Sequence, residues 1–457
     1  MASLIAGCGS VVVPEPRDGG EADAGVTDAG QRDGGVERDA GPERDGGVEY
    51  TLTATVVGVG EGSIQFVGSV RACPSDCEVS GPSGSTVDLR AEALAPDEFR
   101  GWSGACSGLE PTCRLTLTRN ATVGAEFSTP GGFRRFRTIT EVPLPEGWST
   151  VEVLDLNDDG VFVGQADLPF PALGYFAVRG DRGGVIESLE SISTLPGSRA
   201  LGINDAGWTV GGAANAQGDG RAVIWAPRPK AFPIELGTFG GADSVGFSIA
   251  RDNRVVGWAD TATSGMHGFL RTPDGTMHDL GTLGGTNSIA SGIAGDWIVG
   301  RAQRADGEWR GFRARAPDFE LEQLGTLGGD WSSAFRVNRA GAILGYSGLP
   351  DGRSHAVYVA PPPAVELVDI GTLGGADSVP YLMNDSHIAV GTAQVLGGDW
   401  RAFIWSPSAG RIVDLNDLLP RGETEWELTT AAGINNRGQV VGTGTFLGQP
   451  AIFFLDP

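Results

Sequence analysis

The sequence has little lysine, little histidine and no long apolar run. Apart from Lys230, all of the 33 basic residues are arginine, and only four of the 457 residues are histidine. No stretch reaches the ~18 consecutive apolar residues of a membrane-spanning helix. Aromatic residues make up 8% and charged residues 20% of the chain. This composition excludes a helical bundle, a coiled coil and an integral helical membrane protein.

The charge balance is strongly acidic and the glycine content is high. The formal net charge is −24, and such a surface repels phosphate backbones, so we expect no nucleic-acid partner. Glycine accounts for 73 residues, more than twice the typical share of about 7%. The sequence therefore predicts an all-β protein of many short strands joined by glycine turns.

The five cysteines divide into a group of four and a single residue. The group comprises Cys73, Cys77, Cys106 and Cys113, whereas Cys8 stands alone near the start. Four neighbouring cysteines indicate two disulfides, and disulfides indicate an oxidising compartment outside the cytoplasm. Three connectivities are possible for four cysteines.

The segment before Cys8 reads Leu4-Ile5-Ala6-Gly7 and resembles a bacterial lipobox, in which the cysteine is lipid-modified and becomes the mature N-terminus. The resemblance implies an outer-membrane or surface-anchored lipoprotein, since Asp does not follow the cysteine. Residues 1–8 would be a signal remnant, with Cys8 as the only membrane attachment. Only seven residues precede Cys8 and none is basic, so this interpretation requires an upstream start codon. The alternative is a chance match in a secreted protein.

Residues 9–48 have the composition of a linker. The tetrapeptide Arg17-Asp18-Gly19-Gly20 recurs at residues 32–35 and 44–47. Apolar residues are too few to offset the entropy of ordering this segment. We predict a disordered, acidic spacer.

Residues 49–129 alternate apolar and polar positions in short runs, as at residues 51–57, 63–67 and 86–89. This period-2 pattern with glycine punctuation is typical of β-strands. The segment predicts a small β module in which the four grouped cysteines form disulfide staples.

The same module resembles the divergent internalin-type B repeat of bacterial surface proteins. The matching features are Cys73-x3-Cys77, the stretch Gly101-Trp102-Ser103-Gly104-x-Cys106, and Cys113 before a final strand. The resemblance implies a compact domain that spaces or adheres. Among the three connectivities we favour local pairing, Cys73–Cys77 and Cys106–Cys113. We interpret Trp102 as a core residue rather than a ligand contact.

Residues 130–457 repeat a unit of about 45 residues, the length of one propeller blade. The Gly-Thr-Leu/Phe-Gly-Gly segment occurs in residues 236–241, 280–285, 324–329 and 370–375. A second element, an apolar pair ending in glycine, marks seven units through Gly164, Gly211, Gly257, Gly300, Gly345, Gly391 and Gly442. Each unit reads as four short strands joined by Asn/Asp/Gly turns. This arithmetic predicts a seven-bladed β-propeller.

The last unit lacks its fourth strand, since the sequence ends after three. Residues 136–142 read as an isolated fourth strand ahead of the first full unit. We therefore predict that this segment completes the last blade and removes an exposed edge.

The repeats resemble the HAF-type extracellular repeat, named for a His-Ala-Phe strand. The matching triplets are His267-Gly268-Phe269, His355-Ala356-Val357 and Arg401-Ala402-Phe403, beside the Gly-Thr-Leu-Gly-Gly turns. The resemblance implies a secreted or surface location and leaves the biochemical activity undefined.

No catalytic motif, metal site or cofactor site is visible in the sequence. The segment 155–160 fits the start of a calcium loop, but Ala166 stands where the bidentate Glu is required, so we interpret it as a hairpin turn. His267 and His355 occupy one repeat position, which indicates a structural role. A convergence of paired carboxylates in space is left open by the sequence.

The loops between second and third strands share one rim of the predicted propeller, where Trp309 and Trp400 are candidate ligand contacts. The sequence predicts a non-enzymatic, monomeric cell-surface lipoprotein whose propeller binds a protein or a glycan. One alternative is an extracellular propeller enzyme, a hydrolase or lyase acting on polysaccharide, which requires carboxylates clustered at the channel mouth. Another is a passive envelope spacer.

Overall fold

The computed structural model describes residues 11–12, 48–67, 72–73, 77–148, 150–167, 174–228, 232–263 and 265–457. Cys8 and nearly all of the predicted linker lie outside these ranges. The chain divides into two compact units, Met1–Gly132 and Phe133–Pro457. In the part of the chain described, no helix is long and apolar enough to cross a membrane.

Unit 1 consists of short strands in two sheets and ends in a 3-10 turn at Pro130–Gly132. One sheet has the order β1-β5-β2-β9-β7 and the other β4-β3-β6-β8, with β2 and β9 parallel. The strands are β1 (Val11–Val12), β2 (Glu49–Gly58), β3 (Gly62–Phe66), β4 (Ala72–Cys73), β5 (Cys77–Pro82), β6 (Thr86–Ala93), β7 (Glu98–Gly104), β8 (Thr112–Thr116) and β9 (Ala121–Ser128).

Alternation of side chains along these strands places one face of each sheet in a common core. Leu52, Ile64 and Phe127 are fully buried there, and burial of each such side chain contributes about 1.5–3 kcal/mol. Trp102 is 7% exposed and its Nε1 donates a hydrogen bond to the Glu110 carbonyl at 2.9 Å. Trp102 is therefore a core residue, as the sequence predicted.

Two disulfides join residues close in the chain within unit 1. They link Cys73 to Cys77 and Cys106 to Cys113, which confirms the local connectivity. Cys73 and Cys106 are buried in the same core as Trp102. The first bridge joins β4 to β5, and the second joins the loop after β7 to β8, in a domain whose small core makes such bonds valuable.

Unit 2 is built from four-stranded antiparallel sheets that follow one another along the chain, here numbered sheets 1 to 7. Within the described residues they are sheet 1, β11 (Val151–Leu156), β12 (Val161–Asp167), β13 (Tyr175–Asp181) and β14 (Ile186–Ser188); sheet 2, β15 (Ser198–Ile203), β16 (Thr209–Ala214), β17 (Gly220–Trp225) and β18 (Ile234–Glu235); sheet 3, β19 (Gly240–Ile249), β20 (Val255–Thr261), β21 (Met266–Arg271) and β22 (Met277–Asp279); sheet 4, β23 (Gly284–Ala294), β24 (Trp297–Arg304), β25 (Trp309–Arg315) and β26 (Glu322–Gln323); sheet 5, β27 (Ser332–Val337), β28 (Ile343–Gly348), β29 (Ser354–Val359) and β30 (Val368–Gly371); sheet 6, β31 (Gly374–Met383), β32 (Ala389–Val395), β33 (Trp400–Trp405) and β34 (Val413–Asp414); and sheet 7, β35 (Trp426–Ile434), β36 (Val440–Phe446) and β37 (Gln449–Asp456) with β10 (Thr138–Val142). The all-β class is confirmed, and repeated four-stranded sheets of this kind are typical of a β-propeller.

The N-terminal strand of unit 2 completes its last sheet. β10 pairs antiparallel with β37, from Thr138 opposite Asp456 to Val142 opposite Ile452. This is the pairing predicted from residues 136–142. Because β37 has a partner on each side, it does not present a row of unpaired backbone groups.

The Gly-Thr-Leu-Gly-Gly segments form tight connections into β19, β23 and β31. Gly284 has φ 98°, a conformation that favours glycine, and its N–H donates to Thr282 Oγ1 at 3.2 Å. Thr282 Oγ1 donates in turn to the Gly285 carbonyl at 2.9 Å. The equivalent bonds occur at Thr238 and Thr372, so these segments are turns.

A buried serine links each of five neighbouring sheet pairs. Ser244 in the first strand of sheet 3 is 0% exposed, and its Oγ accepts the N–H of Ala222 in the third strand of sheet 2 at 3.0 Å. The same bond recurs from Ala177 to Ser198, Gly268 to Ser288, Gly311 to Ser332 and Ala356 to Ser378. The corresponding residue is Leu428 in sheet 7 and Val151 in sheet 1.

We predict that Ser244→Ala destabilises unit 2 by about 1–3 kcal/mol, because it leaves the buried Ala222 N–H without an acceptor. The matched control is Ser386→Ala at an exposed turn position, where about 0.5 kcal/mol or less is expected. Urea unfolding followed by tryptophan fluorescence measures both. Equal midpoints for the two variants would contradict the interlocking role.

Candidate functional site at the turn ring

The turns that join first and second strands are held by buried asparagines. Asn157 Oδ1 accepts the N–H groups of Asp159 and Val161 at 3.1 and 2.9 Å, which is how an Asx turn forms. Its Nδ2 donates to the carbonyl of Asn204 in the next sheet at 3.1 Å. The asparagines at this position are Asn157, Asn204, Asn338, Asn384 and Asn435, whereas sheets 3 and 4 carry Ala250 and Ala294.

These asparagines also join sheet 7 to sheet 1. Asn435 Nδ2 donates to the Asn157 carbonyl at 3.1 Å, across 278 residues of sequence. Asn384 donates to the Asn435 carbonyl in the same way at 3.1 Å. We call the turns of the seven sheets the turn ring; hydrogen bonds of this kind join sheet 1 to 2, 2 to 3, 5 to 6, 6 to 7 and 7 to 1.

A cavity of about 360 Å³ lies inside the turn ring and is lined by residues of all seven sheets. Each first strand has a β-bulge shortly before its turn, and bulges re-aim the side chains that follow them. The residues directly after the register shift are Asp155, Gly202, Ser248, Gly292, Arg336, Leu382 and Gly433. Only Asp155 and Arg336 are charged, so the repeat is broken at two of its positions.

Asp155 is partly buried in the cavity wall, where backbone donors hold its carboxyl group. Its Oδ1 accepts the N–H of Leu156 and its Oδ2 accepts the N–H of Ile203, both at 2.9 Å. Burial raises the pKa of Asp155 above the usual aspartate range and the charge of Asp205 adds to this, although Arg336 and the two N–H groups oppose it. The protonated carboxyl is thus favoured more than in an exposed aspartate.

Arg336 faces the same cavity from sheet 5. Its guanidinium lies 4.1 Å from the centre of the Phe335 ring, and Nη1 donates to the carbonyl of Phe335 at 3.2 Å. Burial lowers the pKa of Arg336 while the charge of Asp155 opposes the shift, yet an arginine remains charged in proteins. Among the described residues, Arg336 forms no ion pair within 4 Å and its Nη2 has no hydrogen-bond partner.

Two further carboxylates converge at the cavity entrance on Arg251. Its Nη2 lies 3.1 Å from Asp158 Oδ2 and 2.6 Å from Asp205 Oδ2. Asp158 Oδ1 also accepts the N–H of Asn436 at 2.9 Å, and Asp205 Oδ1 accepts the N–H of Asp158 at 3.0 Å. The carboxylate convergence that the sequence had left open is therefore present.

The segment that fits the start of a calcium loop is a hairpin between β11 and β12. Asn157 satisfies the turn N–H groups, and Asp155 accepts backbone N–H groups with both oxygens. Across the described ranges, no group of three or more His, Cys, Asp and Glu side chains is close enough to hold a metal ion.

The structure does not bring Trp309 and Trp400 to the turn ring. Both begin third strands, at the opposite end of their sheets from the first-to-second-strand turns. Trp309 is half-buried with the Arg301 guanidinium 4.8 Å from its ring, and Trp400 is 38% exposed. Their role as ligand contacts stays a prediction.

The two histidines that share a repeat position both form polar contacts with neighbouring residues of the sheets. His355 Nδ1 lies 2.9 Å from an Asp369 oxygen, and its Nε2 lies 3.2 Å from the Ala376 carbonyl. His267 Nδ1 lies 2.8 Å from Asp279. This agrees with the structural role predicted for them.

Asp155 and Arg336 were not recognised as a pair from the sequence, although a signal was available. Each lies two residues before the asparagine of its turn. Alignment of the seven units at this turn position, which is asparagine in five and alanine in two, places the two charged residues in one column with Gly, Ser and Leu. The alignment alone does not show that the residues at this position line a common cavity.

Comparison with known proteins finds likeness at the level of fold. No family model and no curated protein matches the sequence. Similar solved structures include the β-propeller domain of the trilobed protease from Pyrococcus furiosus, 12% identical over 67% of this chain and 95% of that chain with a TM-score of 0.46. Others are TolB from Acinetobacter baumannii (13%, 65% and 80%, 0.36) and a puromycin-hydrolysing peptidase from Mycobacterium tuberculosis (14%, 70% and 55%, 0.46).

The prediction of a non-enzymatic interaction platform is wrong. The propeller-like structures similar to this chain include enzymes, among them the puromycin-hydrolysing peptidase. In this chain the bulged first strands bring carboxylates and an arginine that are far apart in sequence to one cavity. The likenesses are too distant to transfer a substrate to this chain.

Proposed function

We propose that unit 2 is a closed seven-bladed β-propeller that hydrolyses an anionic saccharide at the turn-ring cavity. Closure is supported by the pairing of β10 with β37 and by the bond from Asn435 to Asn157. The observation that carries the activity is the presence of Asp155 and Arg336 at two of seven otherwise uncharged, bulge-directed positions. Charged residues that break a repeat and line the same cavity are good candidates for catalytic or binding residues.

Asp155 has the environment of a general acid. Burial raises its pKa, so it holds a proton at a higher pH than an exposed aspartate. In the proposed reaction that proton passes to the glycosidic oxygen as the bond between this oxygen and the anomeric carbon breaks.

Asp205 supplies the second carboxylate that glycoside hydrolysis requires. The negative charge of Asp205 contributes to the raised pKa of Asp155, and Asp205 Oδ2 contacts Arg251 at the cavity entrance. A water molecule adds to the anomeric carbon and gives its proton to Asp205. Two carboxyl groups whose environments differ in this way can act as acid and base at one pH.

Arg336 accounts for an anionic substrate. The Nη2 donor left without a protein partner can bind a carboxylate or sulfate group. A bound anion near Asp155 would further raise the pKa of its carboxyl and keep the acid protonated. The amide and carboxylate lining suits sugar hydroxyls, and about 360 Å³ is in the range of small-molecule sites, so we expect a chain end rather than a chain interior.

The test is release of reducing ends from alginate, polygalacturonate and hyaluronan oligomers, with dextran oligomers as the neutral comparison. We expect activity on at least one acidic substrate, falling as pH rises through the pKa of Asp155. Asp155→Asn should lower kcat by about 10²–10⁴-fold, the usual contribution of a general acid. Arg336→Gln should raise KM for the acidic substrate.

The matched control is Asp159→Asn, an exposed carboxylate in the same turn that contacts Arg437 instead of the cavity. It should retain wild-type kinetics. Absence of hydrolysis on every acidic substrate, or equal rates for the Asp155 and Asp159 variants, would show that the cavity does not perform this reaction.

For the location of the protein, we propose an outer-membrane anchor at Cys8, supported by the lipobox-like Leu4–Gly7 segment and the acidic spacer after it. Resemblance to HAF-type and internalin-type repeats supports the same surface location. Mass spectrometry after expression from an upstream start codon should find a lipid-modified peptide beginning at Cys8 in the membrane fraction. An unmodified N-terminus in the medium would indicate a secreted protein.

A further inference from the structure

A second cavity, of about 410 Å³, lies where sheet 7 meets sheet 1. Its lining comes from β11, β12, β35, β36 and β37, with Tyr381 from β31. These residues lie toward the strand ends opposite the turn ring. We call it the junction cavity and define it by Glu152, Gln165, Asp167, Tyr381, Thr430 and Thr443.

The position of the junction cavity follows from the way the chain closes on itself. At each of the five junctions from sheet 1 to sheet 6, a buried serine in the first strand of the later sheet accepts a backbone N–H of the preceding sheet. Sheet 1 has Val151 at that position. The residue of sheet 7 that corresponds to the capped N–H donor is Ile452, which pairs with Val142 of β10 instead. The junction closed by β10 is thus free to contain a polar cavity.

One buried acceptor in this cavity lacks a partner. Gln165 Nε2 donates to Glu152 Oε2 at 2.9 Å, which fixes the orientation of the amide. Its Oε1 is buried, and no described residue donates a hydrogen bond to it. A buried acceptor without a donor is unfavourable, so the atom is suited to accept from a ligand.

The charged groups around this acceptor are all acidic. Glu152 lies at the exposed side of the cavity, and Asp167 accepts a hydrogen bond from Thr150 Oγ1 at 2.6 Å. Burial raises the pKa of Tyr381 and the charge of Glu152 adds to this, so the phenol keeps its proton near the carboxylate. No Lys, Arg or His is among the residues that line the cavity.

We propose that the junction cavity binds a small organic ammonium, with N–H donors directed at Gln165 Oε1 and the Glu152 carboxylate. An ammonium group supplies three donors and a positive charge, which match a buried acceptor beside an acidic entrance. A neutral polyol offers donors without the charge. This site is separate from the turn-ring cavity and does not depend on the proposed hydrolysis.

The test is titration calorimetry of the full chain with glucosamine, ethanolamine and putrescine. Each has a matched neutral probe: N-acetylglucosamine, ethylene glycol and 1,4-butanediol. We expect saturable one-to-one binding of at least one ammonium probe and at least ten-fold weaker binding of its neutral counterpart. Glu152→Gln and Gln165→Leu should each weaken the ammonium probe at least ten-fold.

The matched control is Glu423→Gln, a change of equal charge at an exposed position outside the cavity. It should bind as the wild type does, and urea midpoints should show that all variants are folded. Failure of all three ammonium probes would overturn the proposal. So would equal binding of ammonium and neutral probes, or binding unaffected by the Glu152 and Gln165 variants.

Discussion

The hydrogen bond from a buried asparagine amide to the carbonyl of the next turn is the interaction on which unit 2 depends. It fixes the ends of neighbouring first strands against each other, and between Asn435 and Asn157 it spans nearly the whole unit. The same side chain satisfies its own turn through Oδ1. In five of the seven sheets a single residue type therefore builds the hairpin and joins it to the next sheet, and the cavity lies inside the turns held in this way.

Both candidate sites occur where the repeat is interrupted. Equivalent positions around the ring are small or apolar for packing reasons: a Cβ at Gly202 would lie 2.8 Å from the Phe247 carbonyl, and one at Gly433 would lie 2.8 Å from Leu156 Cβ. Asp155 and Arg336 depart from that pattern at the turn ring. Val151 departs from the serine pattern at the junction of sheets 7 and 1. Structural rules explain the majority of positions, and the exceptions carry polar chemistry.

Much of the fold could be predicted from the sequence because its signals are local. Glycine and asparagine turns mark each four-stranded unit, and the unpaired segment before Val142 indicates the strand that completes the last sheet. The cysteine spacing likewise indicates local disulfides. The candidate site could not be predicted in this way. Asp155 and Arg336 lie in sheets 1 and 5, and the bulges that direct them shift the strand register by one residue, which a period-2 pattern does not reveal. The search for contiguous catalytic motifs consequently led to a non-enzymatic interpretation.

The central claim is that burial of Asp155 at the turn-ring cavity favours the protonated form of its carboxyl group. Carbon-13 NMR titration of the Asp155 carboxyl, assigned by its loss in Asp155→Asn, measures this directly. The account predicts a pKa above that of an exposed aspartate, and a further rise in Arg336→Met because the arginine charge lowers the pKa of Asp155. An Asp155 carboxyl that titrates at or below the pKa of an exposed aspartate, or whose pKa is unchanged in Arg336→Met, would contradict the account.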